Sequence, residues 1–264
     1  TDHERMRVIR YDGKHFSLDR MRKLLDLVGN PQEGLKCVQV AGTKGKGSTC
    51  AMLANMLEGC GYAVGLYTSP HLIDLRERIT INGSMISYQD AAEIFKLIAS
   101  KEKLLGDKPP TFFEIMTAVA LRYFADQAVD IAVLETGLGG RLDSTTAVNP
   151  LVTAITHISL DHTNVLGKDL PPKRGAPLEF TGQQIYFSYR FEANKELGPH
   201  TRVCITTPTS RFEHLPVPLK GEHQAHNCGL ALSILDKLKG HGFNLPEEHV
   251  VKGLQKTHLA GRME

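Results

Sequence analysis

The chain of 264 residues is 41% hydrophobic and 23% charged, proportions that are typical of a soluble globular protein. Its formal net charge of +2 excludes a strongly basic nucleic-acid binder but leaves room for a local anion site. No apolar run approaches the roughly 20 residues of a membrane span, and no basic-then-apolar leader opens the sequence. We therefore expect a cytoplasmic protein that binds neither nucleic acid nor membranes, and we expect a monomer.

The five cysteines are scattered along the chain, and none belongs to a Cys-x-x-Cys pair. This spacing argues against a zinc site and against a disulfide framework. Buried free thiols in a reducing compartment are the simplest interpretation of Cys37, Cys50, Cys60, Cys204 and Cys228.

The first part of the chain predicts strands that alternate with a helix. A β-branched run at 35–41 predicts a strand, and apolar residues at helical spacing from Ser48 predict a helix that nearby glycines end. A second strand is predicted at 63–68. The run at 77–87 predicts a hairpin, because the Asn-Gly pair at its centre suits a tight turn with positive φ.

Two capping boxes predict the helices that follow. Ser87 with Asp90 opens a helix that runs to about Leu105. Thr111 with Glu114 opens the next, so we interpret Glu114 as a cap rather than as a ligand. The last helices are predicted at 223–240 and 246–255.

Near-continuous apolar runs at 130–135 and 151–158 predict strands that are buried on both faces of a parallel sheet. Strands that alternate with helices predict an α/β fold with a doubly wound, mostly parallel sheet. The segment 180–215 is richer in β signals and predicts a small β-rich portion. His157 lies inside an apolar run and is expected to be a core residue.

The stretch VAGTKGKGSTC at 40–50 is the strongest chemical signal. Glycines between a strand and a helix let backbone N–H groups curl around an anion, and the helix start adds its dipole. Lys46 is the predicted phosphate-binding lysine and Ser48 the predicted Mg²⁺ hydroxyl, in a variant of the loop G-x-x-x-x-G-K-[ST]. Lys44 is interpreted as solvated, and Thr49 as an alternative magnesium ligand or a helix-start hydroxyl. The alternative to a nucleotide site is a flexible surface turn.

Acidic and imidazole side chains follow two of the buried strands. Glu135 ends the strand at 130–135, where doubly wound sheets bind ligands, and is the predicted Mg²⁺ carboxylate. The alternative is an ordinary strand-end glutamate. Asp143 and Arg141 follow in a glycine-rich loop, where each either contacts substrate or pairs with the other. His162 follows the next strand, and a lone histidine is more often structural than a ligand.

These features together resemble the folylpolyglutamate synthase/dihydrofolate synthase family, within the wider Mur ligase group. The resemblance covers nearly the whole chain, in order, and is more specific than a phosphate-binding loop alone. The matching segments are GTKGKGST (42–49), YTSPHL (67–72), RERITING (76–83), FFEIMTAVA (112–120), LETGLGGRLDSTT (134–146), ISLDHTNVLG (158–167), GEHQAHN (221–227) and AGRME (260–264).

The resemblance implies an ATP-dependent amide ligase with the Mur ligase central-domain fold. Family members use ATP and Mg²⁺ to join L-glutamate to a folate, to dihydropteroate, or to both, through an acyl phosphate on the acceptor carboxylate. By the resemblance, the catalytic residues are Lys46, Glu135 and His162, and the metal ligands are Ser48, Glu135 and His162. The implied ATP-binding residues are Gly42, Thr43, Lys44, Gly45, Lys46, Gly47, Ser48, Thr49, Asn227 at the adenine and Arg262 at the phosphates. The implied folate-binding residues are Ser69, Pro70, His71 and Asp143.

The sequence departs from the family pattern in two places. The family's metal-site helix contains a lysine that becomes carbamylated, but here the sequence KDLPPKRGAPLEF follows Gly167, so neither Lys168 nor Lys173 is given that role. We expect that residues are missing from the sequence between positions 170 and 171. The sequence also stops near the junction to the family's C-terminal glutamate-ligase domain. Residues 1–264 are therefore interpreted as the N-terminal/central ATP-binding domain without the C-terminal one.

This piece is expected to bind nucleotide and to ligate poorly alone. Two other functions stay open from the sequence. One is a nucleotide-binding relative that is catalytically impaired, which the altered metal-lysine region favours. The other is a Mur-type ligase with a different acceptor.

Overall fold

The computed structural model describes residues 18–105, 109–158, 186–194, 198–207, 210–219 and 221–258. The strands are β1 (Cys37–Ala41), β2 (Val64–Tyr67), β3 (Ile79–Ile81), β4 (Ser84–Met85), β5 (Ile131–Glu135), β6 (Val152–Ile155), β7 (Tyr186–Asn194), β8 (Gly198–Thr206) and β9 (Arg211–Val217). The helices are α1 (Leu18–Leu27), α2 (Lys46–Gly59), α3 (Tyr88–Lys101), α4 (Phe112–Asp126), α5 (Glu222–Lys239) and α6 (Glu247–Gln255). None of the helices in these ranges combines the length and the apolar character that crossing a bilayer requires.

Six strands form the main sheet, in the order β4-β3-β2-β5-β1-β6. Strands β2, β5, β1 and β6 pair in parallel, whereas β3 and β4 add an antiparallel edge. The turn between β3 and β4 has positive φ at Asn82 (45°) and Gly83 (74°), as the Asn-Gly pair predicted. The predicted hairpin and the mostly parallel sheet are both confirmed.

Helices cover both faces of this sheet. On β5, Ile131 and Val133 belong to a core with α2, α5 and α6, whereas Ala132 and Leu134 belong to a second core with α1, α3 and α4. Because alternate residues of a strand face opposite sides, a strand between two helical layers must be apolar at every position. This arrangement explains the continuous apolar run and confirms the doubly wound fold.

The predicted β-rich portion is a separate antiparallel sheet in the order β7-β8-β9. Val203 and Ile205 on β8, with Phe212 and Leu215 on β9, join the core that contains α2 and α5. The small sheet therefore adds to the helical layer on one face of the main sheet.

One predicted capping box forms completely and the other only in part. Ahead of α3, the Asp90 N–H donates to the Ser87 hydroxyl (3.0 Å), and that hydroxyl donates to the Asp90 carboxylate (2.6 Å). The return bond from the Ser87 N–H is not among the described contacts, so Ser87 caps the helix without a full capping box. A 3₁₀ turn over Glu102–Leu105 follows α3. At α4, Thr111 and Glu114 cap each other, and the Glu114 carboxylate also pairs with Arg20 Nε of α1 (2.8 Å). The interpretation of Glu114 as a cap is confirmed.

The prediction that His157 is a core residue is wrong, because its side chain is exposed. The residue follows β6, which is the edge strand of the sheet. Its carbonyl oxygen accepts the N–H groups of Thr43 (3.0 Å) and Lys44 (3.4 Å). The backbone of His157 thus holds the loop after β1 in place, while its imidazole faces outward.

Candidate active site

The carboxyl ends of β1 and β5 meet at one rim of the sheet. Val40 lies opposite Glu135 in the parallel register, and the N–H of Thr136 donates to the Val40 carbonyl (3.0 Å). The loop after β1 and the carboxylate at the end of β5 therefore start from adjacent points, which is where ligands bind in open α/β sheets.

The loop between β1 and α2 requires glycine at two positions. Gly42 has φ 136° and Gly45 has φ 86°. A Cβ added at Gly42 would lie 2.0 Å from Thr156 Oγ1, and one added at Gly45 would lie 2.2 Å from Asn227 Oδ1. Both the backbone conformation and the packing exclude a side chain, so the backbone of this loop lies directly against its neighbours.

Helix α2 starts without a side-chain cap. Its N-cap is Gly45, which has no side chain to accept the first N–H groups. The Lys46 ammonium donates to the Gly42 carbonyl (3.1 Å). Ser48 and Thr49 are buried, and within the described ranges Thr49 Oγ1 has no hydrogen-bond partner. Such a helix start is suited to an anion with several oxygens.

Glu135 is 3% exposed, and its Oε2 accepts the N–H of Ser69 (3.0 Å). The carboxylate and the Lys46 ammonium also act on one buried thiol of α2. Burial raises the pKa of Cys50 well above its usual value, the Glu135 charge raises it further, and the Lys46 charge lowers it. Both charged groups thus act on the same buried residue of α2. Their common rim follows from the register of β1 and β5, in which Val40 lies opposite Glu135.

The loop at 68–78 is folded tightly on itself. Its base is closed by the Thr68 N–H, which donates to the Arg78 carbonyl (3.0 Å), and the Ser69–Pro70 peptide is cis. The Glu77 carboxylate accepts three successive N–H groups, those of residues 72–74 (2.7, 3.0 and 2.7 Å). These backbone hydrogen bonds, that of Asp74 first, lower the pKa of Glu77. The loop thus presents its 69–71 segment in a fixed conformation beside Glu135.

Asp143 is buried, and its own loop uses both of its oxygens. Oδ2 accepts the N–H groups of Gly137 and Leu138 (2.9 Å each), and Oδ1 accepts the N–H and the hydroxyl of Thr145 (3.0 and 2.6 Å). Burial raises the pKa of Asp143, against the effect of these hydrogen bonds. Arg141 is exposed. Of the two alternatives for Asp143, pairing with Arg141 does not occur among the described contacts, and contact with substrate stays a prediction.

Asn227 brings helix α5 to the phosphate-binding loop. It is 8% exposed, donates from Nδ2 to Gln224 Oε1 (3.0 Å), and packs against Gly45.

The structure therefore gathers Lys46, Ser48, Glu135, Ser69 and Asn227 at one rim. The predicted site residues His162 and Arg262, like Lys168 and Lys173, lie outside the described residues. Inside the described ranges, no three His, Cys, Asp or Glu side chains are grouped so as to hold a metal.

Sequence reasoning missed Arg78. Its guanidinium is 4% exposed, donates from Nε to His71 Nδ1 (2.8 Å), and lies over the Phe112 ring. The run Arg-Glu-Arg at 76–78 gave no sign of which arginine is buried, because charged runs before a strand are usually solvated.

Comparisons with known proteins show which proteins the chain is similar to. No protein-family model matches the chain. The chain is 37% identical over 281 residues to a probable bifunctional folylpolyglutamate synthase/dihydropteroate synthase of Haloferax volcanii, covering 93% of this chain and 33% of that protein. It is 34% identical over 281 residues to the dihydrofolate synthase/folylpolyglutamate synthase of Bacillus subtilis, covering 94% of this chain and 65% of that protein.

A solved complex of folylpolyglutamate synthase (FPGS) with AMPPCP and folate has a TM-score of 0.85 to this chain at 28% identity, covering 99% of this chain and 71% of that one. The chain spans from one third to just under two thirds of the lengths of these two relatives. On these similarities and on its fold, the chain belongs to the folylpolyglutamate synthase/dihydrofolate synthase family.

Proposed function

We propose that this chain is the nucleotide-binding part of an ATP-dependent carboxylate–amine ligase that adds L-glutamate to folate, with dihydropteroate as a second acceptor. The observation on which the proposal rests is the hydrogen bond from the Ser69 N–H to Glu135. It joins the rim that contains the phosphate-binding loop to the loop that the resemblance assigns to folate. The relatives' names and the FPGS complex with AMPPCP and folate support these substrates.

Lys46 and the first N–H groups of α2 would bind the phosphates of ATP. A helix start offers N–H groups and a positive dipole end, and the ammonium adds a full charge within the same loop. Asn227 would position the nucleotide from α5, and Thr43, Lys44, Gly47 and Thr49 would complete the contacts. Arg262 stays a prediction for the phosphates.

The residues present suit Mg²⁺. Ser48 and Glu135 offer hydroxyl and carboxylate oxygens, the ligands that this hard cation prefers. The buried Thr49 Oγ1, which lacks a partner among the described residues, supports this assignment as one further oxygen in the first turn of α2. When bound, Mg²⁺ neutralises phosphate charge. His162 as a further metal ligand stays a prediction.

The chain's contribution to the reaction would be alignment and charge neutralisation. A carboxylate is a poor electrophile, so its oxygen must first attack the terminal phosphorus of ATP, with ADP leaving. The glutamate amine then attacks the acyl carbon and inorganic phosphate leaves. Lys46 would stabilise the charge on the transferring group, and the Ser69–His71 segment would hold the acceptor in line.

The test is ADP release by the purified protein at its full natural length, with ATP, Mg²⁺, L-glutamate and one acceptor at a time, together with the mass of the product. We expect ADP release that depends on both glutamate and a folate acceptor, and a product heavier by one glutamyl unit. A parallel reaction with dihydropteroate tests whether that compound is also an acceptor. ADP release without any acceptor, or ligation only to an acceptor of another class, would contradict the proposal.

A further inference from the structure

Arg78 and His71 form a buried contact beside the proposed acceptor site. The Arg78 guanidinium is 4% exposed and donates its Nε–H to His71 Nδ1 at 2.8 Å. His71 itself is half-buried. No second hydrogen bond of the imidazole occurs within the described part of the chain, so Arg78 is the described hydrogen-bond partner of Nδ1. The charge of the Glu77 carboxylate also acts on the ring.

This hydrogen bond fixes where the ring proton lies. A guanidinium has only donors, so His71 Nδ1 must accept with its lone pair. In a neutral imidazole one nitrogen accepts and the other donates, so the proton is on Nε2. Nδ1 and Nε2 point to different sides of the ring. Because Nδ1 faces the buried guanidinium, the Nε2–H edge is the one that a ligand can reach.

Arg78 is itself held in three ways. Its carbonyl accepts the Thr68 N–H (3.0 Å), which closes the 68–78 loop at its base. Its guanidinium lies 5.2 Å from the centre of the Phe112 ring at the start of α4, and β3 begins at the next residue, Ile79. A side chain anchored to a loop base, a helix start and a strand is a rigid reference for the orientation of a neighbouring ring.

We propose that Arg78 is a positioning residue that holds His71 as the Nε2–H tautomer, so that His71 donates a hydrogen bond to an oxygen of the acceptor substrate. The assignment rests on the proposed function, because the acceptor is taken to bind beside the 69–71 segment. The proposal also predicts which groups of the acceptor bind next to His71. A carbonyl or carboxylate oxygen is favoured beside Nε2, and a hydrogen-bond donor is disfavoured there.

The tautomer is measured directly by long-range ¹⁵N–¹H correlation of protein with labelled histidine, at a pH high enough to keep imidazoles neutral. His71→Gln identifies the His71 signals. We expect Nε2 to be protonated in the wild type and the two tautomers to mix in Arg78→Met. A wild-type ring protonated on Nδ1 would overturn the proposal whatever the activity.

The acceptor contact is tested with two substitutions of His71. A glutamine amide reaches about the position of Nε2, whereas an asparagine amide reaches only about that of Nδ1. We expect His71→Asn to raise the KM for the folate acceptor about tenfold, the effect of one hydrogen bond, with the KM for ATP unchanged. His71→Gln should remain within about threefold of the wild type. Equal losses in the two variants would overturn the donor role.

The action of Arg78 through His71 is tested by a double-mutant cycle. Arg78→Met should raise the same KM, and the double variant with His71→Asn should raise it no further than the larger single effect. Arg122→Met, which removes an arginine from the distant end of α4, is the matched control. If the double variant raised the KM by the product of the two single effects, the positioning role of Arg78 would be overturned. A wild type that ligates no folate would contradict the proposed function. The tautomer measurement would still show whether Arg78 determines the protonated nitrogen of His71.

Discussion

Two glycine-rich loops follow neighbouring strands at the same rim, and they differ in what their polar groups do. In the loop at 42–49, the helix start has no side-chain cap, and Thr49 Oγ1 has no partner among the described residues. In the loop at 136–147, Asp143 accepts four hydrogen bonds, and Gln39 of β1 donates to the hydroxyls of Thr145 (3.0 Å) and Thr146 (2.9 Å).

The difference supports the proposal that the 42–49 loop binds a ligand and that the 136–147 loop supports the site. Buried polar groups in native proteins are almost always paired, so groups without an internal partner indicate the place of a ligand. The two buried carboxylates at the end of β5 and in the loop after it also differ in their partners. Glu135 accepts the N–H of Ser69 in another loop, whereas Asp143 accepts its hydrogen bonds from its own loop.

The largest expected effect is at Lys46. Lys46→Ala should lower the kcat/KM for ATP by about two orders of magnitude or more, because it removes charge stabilisation of the phosphates. Steady-state kinetics measure it, with Lys96→Ala on the exposed face of α3 as the control for loss of a lysine. Unchanged turnover would remove the 42–49 loop from the nucleotide site.

Glu135→Gln sharpens the contrast between the two carboxylates. The substitution keeps the shape and an acceptor oxygen but removes the charge, so the Mg²⁺ concentration for half-maximal activity should rise about tenfold. A metal titration of activity tests this. A wild-type titration curve would exclude Glu135 from the metal site.

Gly45→Ala should weaken nucleotide binding about tenfold, because the new methyl group displaces Asn227. It should also lower stability, because the left-handed conformation costs roughly 1–2 kcal/mol. Calorimetry with ADP measures the affinity. Gly61→Ala is the matched control, since Gly61 has φ 90° but nothing within 4 Å of an added Cβ. It should lose stability without losing nucleotide affinity. Equal affinity losses in both variants would show that packing against Asn227 is irrelevant.

Asp143→Asn is expected to act on stability rather than on nucleotide affinity. The amide nitrogen must face N–H donors that a carboxylate oxygen now accepts, so the free energy of unfolding should fall by about 1–3 kcal/mol. Chemical denaturation measures the loss. An unchanged stability with a large rise in the folate KM would instead assign Asp143 to substrate.

The pH dependence of stability is a second test of the Asp143→Asn variant. Burial raises the pKa of Asp143 in the folded protein above its ordinary value of about 3.9. At pH values between the ordinary pKa and the native pKa, the folded state therefore binds the proton more tightly than the unfolded chain. The contribution of Asp143 to the free energy of unfolding is fully present at pH values below the ordinary pKa and is lost as the pH rises through the native pKa. In Asp143→Asn, this part of the change in unfolding free energy with pH should be missing.

The smallest effect is expected at Thr49. Thr49→Val removes a hydroxyl that has no partner among the described residues, so stability should change by less than about 1 kcal/mol. Nucleotide or Mg²⁺ affinity should fall by about threefold to tenfold if the hydroxyl binds there. A loss of stability with unchanged affinity would show that the hydroxyl is satisfied within the fold.

The sequence by itself determined the features that depend on neighbours within a few residues. The helix cap at Ser87, the capping box at Thr111, the Asn-Gly turn and the glycine loop before α2 all follow from short-range hydrogen bonds and from φ. The doubly wound sheet followed as well, and the apolar run at 130–135 is a strand buried on both faces, as predicted. The same prediction for 151–158 is wrong, because β6 is an edge strand on which Thr153 and Ile155 are exposed.

Only the tertiary structure decided which side chains meet across the rim. The exposure of His157 depends on β6 being an edge strand, and the packing of Asn227 on Gly45 joins positions far apart in sequence. The burial of Arg78 against His71 and the use of Asp143 by its own loop depend on the chain path in the same way. Such contacts are set by how strands are ordered and how loops close over them, and no local pattern of residues specifies that order.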